Sequence, residues 1–263
     1  MPDYAVVGHV EWVTFAQVPR LPRPGEILRA RAAFDEAAGG GGVAAVQLAR
    51  LAGACTFLTA CRAPAAARLG ELGVAVHAAD RPTRRAFTFV DDAAERTITV
   101  LDERVVPHGS DPLPWDGLAS CDAVYFTGGD AAAARAARAA RRLVATPRAY
   151  ESLRGVEIDV LVLSGNDRDE VGWADGLSAR HRVLTDGDRG GRWMAGEREG
   201  RWAAAAPPGP PVDAYGCGDS FAAGLTYALG RDEPLERAVE FGARCGAACL
   251  SGRGPYGAPL PRE

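Results

Sequence analysis

Residues 213–221 read Asp-Ala-Tyr-Gly-Cys-Gly-Asp-Ser-Phe, and the interpretation of the whole chain starts from this stretch. Prolines and a glycine crowd the approach to it over residues 207–211. Apolar residues then recur at helical spacing from Phe221 to Leu229. The pattern predicts a flexible turn that leads directly into a helix, with residues 216–220 at the N-terminus of that helix.

Two properties of this turn indicate an anion site. The first amides of a helix have no partner within the helix and lie at the positive end of its dipole. Glycines at 216 and 218 leave no Cβ between the backbone and a ligand, so we expect the amides of Gly216, Cys217 and Gly218 to bind an anion. Asp219 would be ordinary as a helix cap. Beside a bound phosphate, however, its carboxylate is placed to take a proton from an attacking hydroxyl.

The composition excludes several classes of function. The 263 residues carry a formal net charge of −4 and contain no basic block, so a nucleic-acid surface is not indicated. All 30 lysine-or-arginine positions are arginine. This excludes the lysine-dependent Walker-type phosphate loop and Schiff-base chemistry. A chain of this length can bury one substantial core with neither a metal nor a disulfide.

The cysteines and the start of the chain bear on its location. The six cysteines form no C-x-x-C pair, and no histidine lies at metal-ligand spacing from them. Free buried thiols in a reducing compartment are the plain interpretation. The first residues lack a charged region followed by a long apolar run, and no segment approaches the length of a membrane span. We therefore expect a cytoplasmic protein that binds neither nucleic acid nor a membrane.

Short apolar runs alternate with helical patterns along the chain. Strands are predicted at 4–8, 55–58, 123–127, 159–163 and 183–185, and helices over 64–72, 131–143 and 235–250. This alternation is typical of an α/β fold with a mostly parallel sheet. Residues 85–90 and 96–100 alternate around an acidic turn, which predicts a hairpin. From the pattern alone, that hairpin fits the edge of the main sheet as well as a separate position.

A second glycine-rich block, Ala-Gly-Gly-Gly-Gly at residues 38–42, leads into a helix whose apolar residues from Val43 to Leu51 suggest a buried stripe. A flexible loop or the turn of a dinucleotide-binding motif would also contain such a run. The second of these is disfavoured, because the run does not follow a predicted strand within a βαβ unit.

Together, the two glycine-rich blocks resemble the signatures of the ribokinase-like (PfkB) family of carbohydrate and nucleoside kinases. Residues 213–221 resemble its D-T-x-G-A-G-D-x-F signature, and residues 38–42 resemble its N-terminal glycine signature. The resemblance implies a three-layer ribokinase-like α/β fold, a single domain over residues 1–263 whose mostly parallel central sheet is flanked by helices. It also implies a small β lid at about residues 14–34 and 84–104, which commonly serves as the surface of a homodimer.

The activity implied by the resemblance is ATP-dependent transfer of phosphate to a hydroxyl of a sugar or sugar-like alcohol, assisted by Mg²⁺. Asp219 would be the general base, and Gly216, Cys217 and Gly218 would form the anion hole. The other implied roles are substrate binding by Gly39 and Gly40, nucleotide binding by Thr185, Gly187, Gly190 and Gly254, and a monovalent cation such as K⁺ near Asp213.

The acidic motif that organises magnesium and phosphate through water in family members, N-x-x-E, is altered in this chain. Strand register places it at Ser164 and Asp167, whereas a shift of two residues gives Asn166 and Asp169, with Glu170 adjacent. Both registers stay open, and the candidate metal-organising residues are Asp167, Asp169 and Glu170. Because an acidic loop is usually just solvated, magnesium is expected from the reaction class more than from these residues.

Two further departures concern the acceptor. Val13 stands where the family usually supplies an aspartate to the sugar hydroxyls, and Ala44 stands where an asparagine is usual. Glu11 lies two residues before Val13, on the same face of an extended chain, and could replace the aspartate. A pocket that loses both polar partners discriminates poorly in favour of hydroxyl-rich sugars. Either Glu11 compensates, or the acceptor is less like ribose or fructose than usual.

Three alternatives stay open. An adenosine-type nucleoside kinase is the nearest. A catalytically silent member of the fold that binds a nucleotide or metabolite is favoured by Val13, Ala44 and the altered acidic motif, and disfavoured by Asp219. A third alternative is a nucleophilic Cys217, since a thiol at a helix N-terminus can have a lowered pKa. Against it, no histidine lies in a cysteine-enzyme motif, and a small residue that fills the turn is the simpler interpretation.

Overall fold

Two sheets organise the chain in the computed structural model, which describes residues 3–261. The main sheet has nine strands and the second sheet has four. The outermost residues of the domain predicted over 1–263 lie outside the described residues.

In chain order, the strands are β1 (Tyr4–Val7), β2 (Glu11–Gln17), β3 (Ala32–Ala38), β4 (Cys55–Ala60), β5 (Val74–Ala79), β6 (Arg84–Val90), β7 (Arg96–Val100), β8 (Ala123–Phe126), β9 (Leu143–Ala145), β10 (Ile158–Ser164), β11 (Ala179–Thr185), β12 (Gly191–Ala195) and β13 (Arg198–Trp202). The α-helices are α1 (Gly39–Ala52), α2 (Ala65–Glu71), α3 (Ala131–Ala137), α4 (Tyr150–Leu153), α5 (Arg168–Ala174), α6 (Cys217–Gly230) and α7 (Leu235–Leu250). Short 3₁₀ turns cover Trp115–Ser120, Pro147–Ala149 and Gly187–Arg189.

The main sheet is mostly parallel, as the alternation of strand and helix predicted. Its spatial order is β13-β12-β11-β10-β9-β8-β1-β4-β5. All neighbouring pairs from β5 across to β11 are parallel, and β12 and β13 extend the sheet with antiparallel pairing. The apolar runs at β1 and β10 are buried along almost their whole length, which is typical of strands covered by helices on both faces.

Helices cover both faces of the main sheet. One buried cluster joins the sheet to α1, α2, α6 and α7, and a second joins it to α3, α4 and α5. This three-layer arrangement confirms the predicted fold class. None of the helices in the described part of the chain combines the length and apolar character that a bilayer crossing requires.

The second sheet has the order β3-β2-β6-β7 and contains the predicted hairpin. β6 and β7 pair antiparallel, whereas β2 pairs with β6 in parallel. The hairpin therefore belongs to a separate small sheet and not to the edge of the main one. The lid expected at about residues 14–34 and 84–104 falls on this sheet, although β2 begins earlier, at Glu11, and β3 ends later, at Ala38.

The helix predicted over residues 131–143 is shorter in the structure. α3 ends at Ala137, and Leu143–Ala145 forms β9, which pairs in parallel with β8 and β10. An alanine-rich sequence favours a helix locally, but burial of three apolar residues between two strands outweighs that preference. The Arg138 side chain donates to the carboxylate of Asp159 and ties the intervening turn to β10.

Close packing between α6 and α7 fixes the position of the helix that begins at Cys217. A Cβ on Gly224 of α6 would lie 2.6 Å from the sulfur of Cys245 and 3.1 Å from Cα of Gly242, both on α7. Glycine therefore allows the two helix backbones to approach each other.

Replacement of Gly224 by alanine is predicted to destabilise the protein by about 1–3 kcal/mol, because the added methyl overpacks this contact. Gly70 of α2 is a matched control, since a Cβ there would meet no atom within 4 Å. Gly70→Ala should be neutral or stabilising by up to about 1 kcal/mol. Urea unfolding of both variants measures the difference, and equal stabilities would contradict this account of the helix contact.

Candidate active site

A cleft of about 900 Å³ lies between the carboxyl edge of the main sheet and the second sheet. The ends of five neighbouring parallel strands contribute His9, Thr127, Thr146, Ser164 and Thr185 to its wall. The second sheet contributes Glu11, Arg84, Arg96, Ile98 and Val100. Because ligands of open α/β sheets bind outside the carboxyl ends of the strands, this cleft is the candidate active site.

The N-terminus of α6 opens into the cleft. Gly216, the residue before the helix, has a φ of +82°, and a Cβ there would lie 2.9 Å from Cβ of Pro255. Within the described part of the chain, the amides of Gly216, Cys217 and Gly218 donate no hydrogen bond. A Cβ on Gly218 would meet no atom within 4 Å. The turn therefore presents unpaired donors to open space, as an anion site requires.

Asp219 follows these amides in the first turn of α6 and lines the cleft. Its carboxylate accepts no hydrogen bond from the residues that the structure describes. Burial raises the pKa of Asp219 to about 6, while the charges of Arg96 and Arg148 act in the opposite direction. An unpaired carboxylate with a pKa near neutrality is suited to accept a proton from a ligand.

The predicted substrate glycines lie directly opposite Asp219. A Cβ on Gly40 would be 3.1 Å from Oδ1 of Asp219. Gly39 has a φ of +77°, and its amide donates to the hydroxyl of Tyr215 at 3.1 Å. This hydrogen bond ties the start of α1 to the turn before α6, so the two glycine-rich blocks are brought together although they are far apart in sequence.

Glu11 lines the cleft beside this glycine pair, whereas Val13 is fully buried in a separate core cluster. Cγ of Glu11 would be 3.0 Å from a Cβ on Gly39. Oε1 of Glu11 is 2.8 Å from Nη1 of Arg84. Burial raises the pKa of Glu11, and the charges of Arg84 and Arg104 oppose that effect. The carboxylate is thus available at the cleft but already has a cationic partner.

The residues predicted for the nucleotide are spread out. Thr185 lines the cleft at the end of β11. Gly187 and Gly190 lie in the following turn, outside the residues that line the cleft. Gly190 has a φ of +84°, and a Cβ there would collide with the backbone of Trp202, so the turn requires glycine at this position.

Asp213, predicted near a monovalent cation, is fully buried behind the turn. Its Oδ1 accepts from the amide of Tyr215 at 2.8 Å, and its Oδ2 accepts from the amide of Gly254 at 3.0 Å. Neither Asp213 nor Gly254 is among the residues that line the cleft. The carboxylate therefore joins the turn before α6 to the turn after α7.

The acidic residues after β10 differ in their positions. The Asp167 carboxylate caps α5, and Glu170 accepts from the amide of Ser164 at 2.8 Å; both residues line the cleft. Arg148 donates to both carboxylates, at 2.6 Å to Asp167 and 2.5 Å to Glu170. Asp169 is exposed and lies outside the cleft wall.

The acidic residues after β10 determine whether the protein alone can hold a magnesium ion. The described residues contain no group of three or more histidine, cysteine or acidic side chains arranged to hold a metal ion. Arg148 also occupies one oxygen of each of the two acids that face the cleft. These residues fit a magnesium ion that arrives with phosphate oxygens and is approached through water, and they do not fit a protein cage.

Cys217 does not have the environment of a nucleophile. A hydrogen bond with Cys249, followed by burial, raises the pKa of the Cys217 thiol. All six cysteines are free in the structure. A protonated thiol that fills the turn agrees with the simpler of the two interpretations made from the sequence.

Six basic residues of the cleft wall were not predicted as site residues: His9, Arg84, Arg96, Arg104, Arg148 and Arg168. His9 stands two residues after β1, where the end of a buried parallel strand was a usable signal. The five arginines gave no comparable signal, because they are spread over separate segments and the chain is rich in arginine throughout.

Comparisons with known proteins bear on the fold and on the C-terminal part of the chain. Residues 159–262 match the family model described as pfkB family carbohydrate kinase. No curated protein matches the chain significantly.

Several solved structures share the fold over nearly the whole chain. Ribokinase from Giardia lamblia is 15% identical with a TM-score of 0.80, covering 100% of this chain and 97% of its own. Adenosine kinase from Sinorhizobium meliloti is 18% identical with a TM-score of 0.76, covering 97% and 95%. Arabidopsis thaliana ribokinase, complexed with ribose and ATP, is 19% identical with a TM-score of 0.74, covering 99% and 96%.

At these identities the likeness shows a common fold. It agrees with the match of the C-terminal segment. The resemblance is thereby confirmed: the chain has the fold of the ribokinases and related sugar and nucleoside kinases, and residues 159–262 carry the match to the pfkB family of carbohydrate kinases.

Proposed function

We propose that this protein transfers the terminal phosphoryl group of ATP to a hydroxyl of a sugar or sugar-like alcohol. The observation that carries the proposal is the pairing of unpaired amides at the start of α6 with the free, cleft-facing carboxylate of Asp219. The fold supports it, since a ribokinase of the same fold is complexed with ribose and ATP.

In the proposed reaction, Asp219 accepts the proton of the acceptor hydroxyl as its oxygen attacks the terminal phosphorus of ATP. The new O–P bond forms as the bond from that phosphorus to the leaving oxygen breaks, and ADP carries away the electron pair. The amides of Gly216, Cys217 and Gly218 stabilise negative charge on the phosphoryl oxygens. Magnesium bound to the nucleotide would offset charge on the same phosphates, with Asp167 and Glu170 approached through water.

The cleft suggests where each substrate lies. The acceptor would occupy the space between Gly39, Gly40 and Glu11, because a Cβ on Gly40 would lie only 3.1 Å from Oδ1 of Asp219. The nucleotide would approach from the side of Thr185, on the other side of the α6 N-terminus. Closure of the second sheet over the acceptor would exclude water from the transfer step.

Three further expectations stay predictions. Potassium near Asp213 would act through the turn that this carboxylate holds and not by contact with substrate. A homodimer through the second sheet is supported by the exposed Ile98, Val100 and Leu101 on and after β7. A single domain with a lid is supported by the two sheets and by the cleft between them.

A catalytically silent nucleotide or metabolite binder is a second candidate, and one observation favours it. Arg148 takes the acidic pair after β10 into ion pairs. Release of ADP with a panel of sugars, polyols, sugar phosphates and nucleosides separates the two readings. Turnover supports the kinase, and a nucleoside as the preferred acceptor assigns the adenosine-type alternative. Binding of ATP without turnover of any member supports the silent binder.

Asp219→Asn is predicted to lower phosphoryl transfer by about 10²- to 10⁴-fold while ATP still binds, because the amide cannot accept the proton. Asp116→Asn is the control, since Asp116 likewise lies in the first turn of a helix but is exposed and away from the cleft. Initial rates with a saturating acceptor measure the effect. A rate near wild type in Asp219→Asn would reject the assignment of the base.

The same variant has a predicted effect on stability. Burial raises the pKa of Asp219 in the folded state to about 6, so the native protein binds this proton more tightly than the unfolded chain does. Its contribution to stability is therefore present at low pH and is lost as pH rises through about 6. Asp219→Asn should melt at a higher temperature than wild type at pH 8, and the difference should shrink toward pH 4.

The pH dependence of catalysis follows from the same pKa with a defined sign. Only the deprotonated carboxylate is a base, so kcat/KM should fall about tenfold per pH unit below pH 6 and level off above about pH 7. Affinity for ATP, measured at each pH by calorimetry, controls for titration of the nucleotide. A rate that stays constant down to pH 4.5 is incompatible with Asp219 as a base of raised pKa.

Two glycines of the anion turn are predicted to respond differently to alanine. Gly218→Ala should fold normally but lose about tenfold or more in kcat, because its methyl would enter the space facing the amides. Gly216→Ala should lose at least about 1 kcal/mol of stability, because its left-handed conformation is strained for alanine. Thermal unfolding and initial rates distinguish the two. Normal kcat in Gly218→Ala would argue against phosphate binding at this turn.

A further inference from the structure

Arg104 lies in the wall of the cleft with no carboxylate to balance its charge. Its guanidinium donates to the carbonyls of Arg148 at 2.7 Å and Thr127 at 2.5 Å, and to Nδ1 of His9 at 3.0 Å. Its Nε is buried and has no acceptor among the described residues. Each partner that it does have is neutral or a main-chain group.

The nearest acids are already used by other arginines. Glu11, whose charge acts on Arg104, is 2.8 Å from Arg84. Arg148, on the other side, is paired with Asp167 and Glu170. Within the described residues, Arg104 forms no ion pair, so no carboxylate in direct contact offsets its charge.

Burial and neighbouring charges make the positive charge of Arg104 energetically unfavourable. Burial, followed by the charges of Arg84 and Arg148, lowers the pKa of Arg104 to about 10. The side chain therefore still carries its charge at neutral pH. Burial, together with Arg104, Arg84 and Arg148, lowers the pKa of His9, so His9 is neutral and adds no charge of its own. A partly buried cation without a counter-ion is unfavourable until an anion joins it.

There is also space for a substituent beside this side chain. A smaller cavity of about 360 Å³ adjoins the cleft and shares Arg104, Arg148 and Trp173 with it. Its wall continues through Gly128 and Gly129, where a Cβ on Gly128 would lie 3.2 Å from Nη2 of Arg104. Glycine at this position keeps the guanidinium accessible.

We propose that the acceptor is an anionic sugar-like alcohol, whose carboxylate or phosphate binds Arg104 and Arg84 while its hydroxyl faces Asp219. This rests on the proposed function and adds the class of acceptor to it. Arg104 is then a specificity-determining residue. The position favours the acceptor over ATP, because Arg104 is held at the ends of β1 and β8, away from Thr185 and on the side of Gly39 and Gly40.

Binding of matched pairs of probes tests the proposal without relying on turnover. Isothermal titration calorimetry compares D-glucose with D-gluconate, D-fructose with D-fructose 6-phosphate, and D-ribose with D-ribose 5-phosphate. The proteins are wild type, Arg104→Gln, Arg104→Lys and the control Arg135→Gln, whose side chain is exposed on α3 outside the cleft. Circular dichroism confirms that each variant is folded. The gluconate and phosphate arms separate a sugar acid from a sugar phosphate.

At least one anionic probe is expected to bind wild type with a Kd at least tenfold lower than its neutral partner. Arg104→Gln should raise that Kd by roughly 10- to 100-fold, the range for loss of a charged hydrogen bond. Arg104→Lys should recover part of the loss, and Arg135→Gln should match wild type. In turnover assays, the Arg104→Gln effect should appear in KM for the acceptor and not in KM for ATP.

Four results would overturn the proposal: equal or tighter binding of the neutral partner in every pair, no binding of any probe, an anion preference that survives in Arg104→Gln, or an Arg104→Gln effect confined to KM for ATP. The last result would assign Arg104 to the nucleotide phosphates. Tight, Arg104-dependent binding of an anionic probe with no ADP release would instead support the acceptor class and refute the kinase.

Discussion

The rest of the site depends on the left-handed turn at Gly216, directly before α6. Because of this turn, the first amides of α6 have no hydrogen-bond acceptor within the described chain. Main-chain donors that are fixed by the fold lose no freedom when an anion binds, and they lie at the positive end of the helix dipole. The turn is supported from behind by Asp213, which accepts one hydrogen bond on each oxygen. Its shape is thus enforced by buried groups that do not touch the cleft.

The second constraint is the contact between the two glycine-rich segments. Gly39 donates to the hydroxyl of Tyr215, and a Cβ on Gly40 would lie 3.1 Å from Oδ1 of Asp219. Substrate contact, base and anion site therefore belong to one packed unit built from the starts of α1 and α6. In the same unit, burial raises the pKa of Asp219 into the range of a useful base, so stability is sacrificed at the site where proton transfer is proposed.

Much of this could be predicted from the sequence, and the parts that could not share a physical cause. Local patterns placed most strands and helices, and the family resemblance placed Asp219, Gly39, Gly40 and Glu11 at one site. The helix over residues 131–143 was too long in prediction, because pairing of β9 with two strands is not visible in a local propensity. The arginines of the cleft were not predicted as site residues, because their role depends on which carboxylates they contact in the folded chain. Arg148 forms ion pairs with two carboxylates, whereas Arg104 forms none within the described residues. Only the folded chain shows this difference.

The account is tested most directly at the amides of the turn. Two-dimensional amide NMR of the ¹⁵N-labelled protein, titrated with a non-hydrolysable ATP analogue and magnesium, reports on each donor separately. We expect the largest shift changes at Gly216, Cys217 and Gly218, together with slower exchange of these amides with solvent. Unchanged signals at these three positions, with the changes located elsewhere in the cleft, would contradict the claim that the start of α6 receives the phosphoryl group.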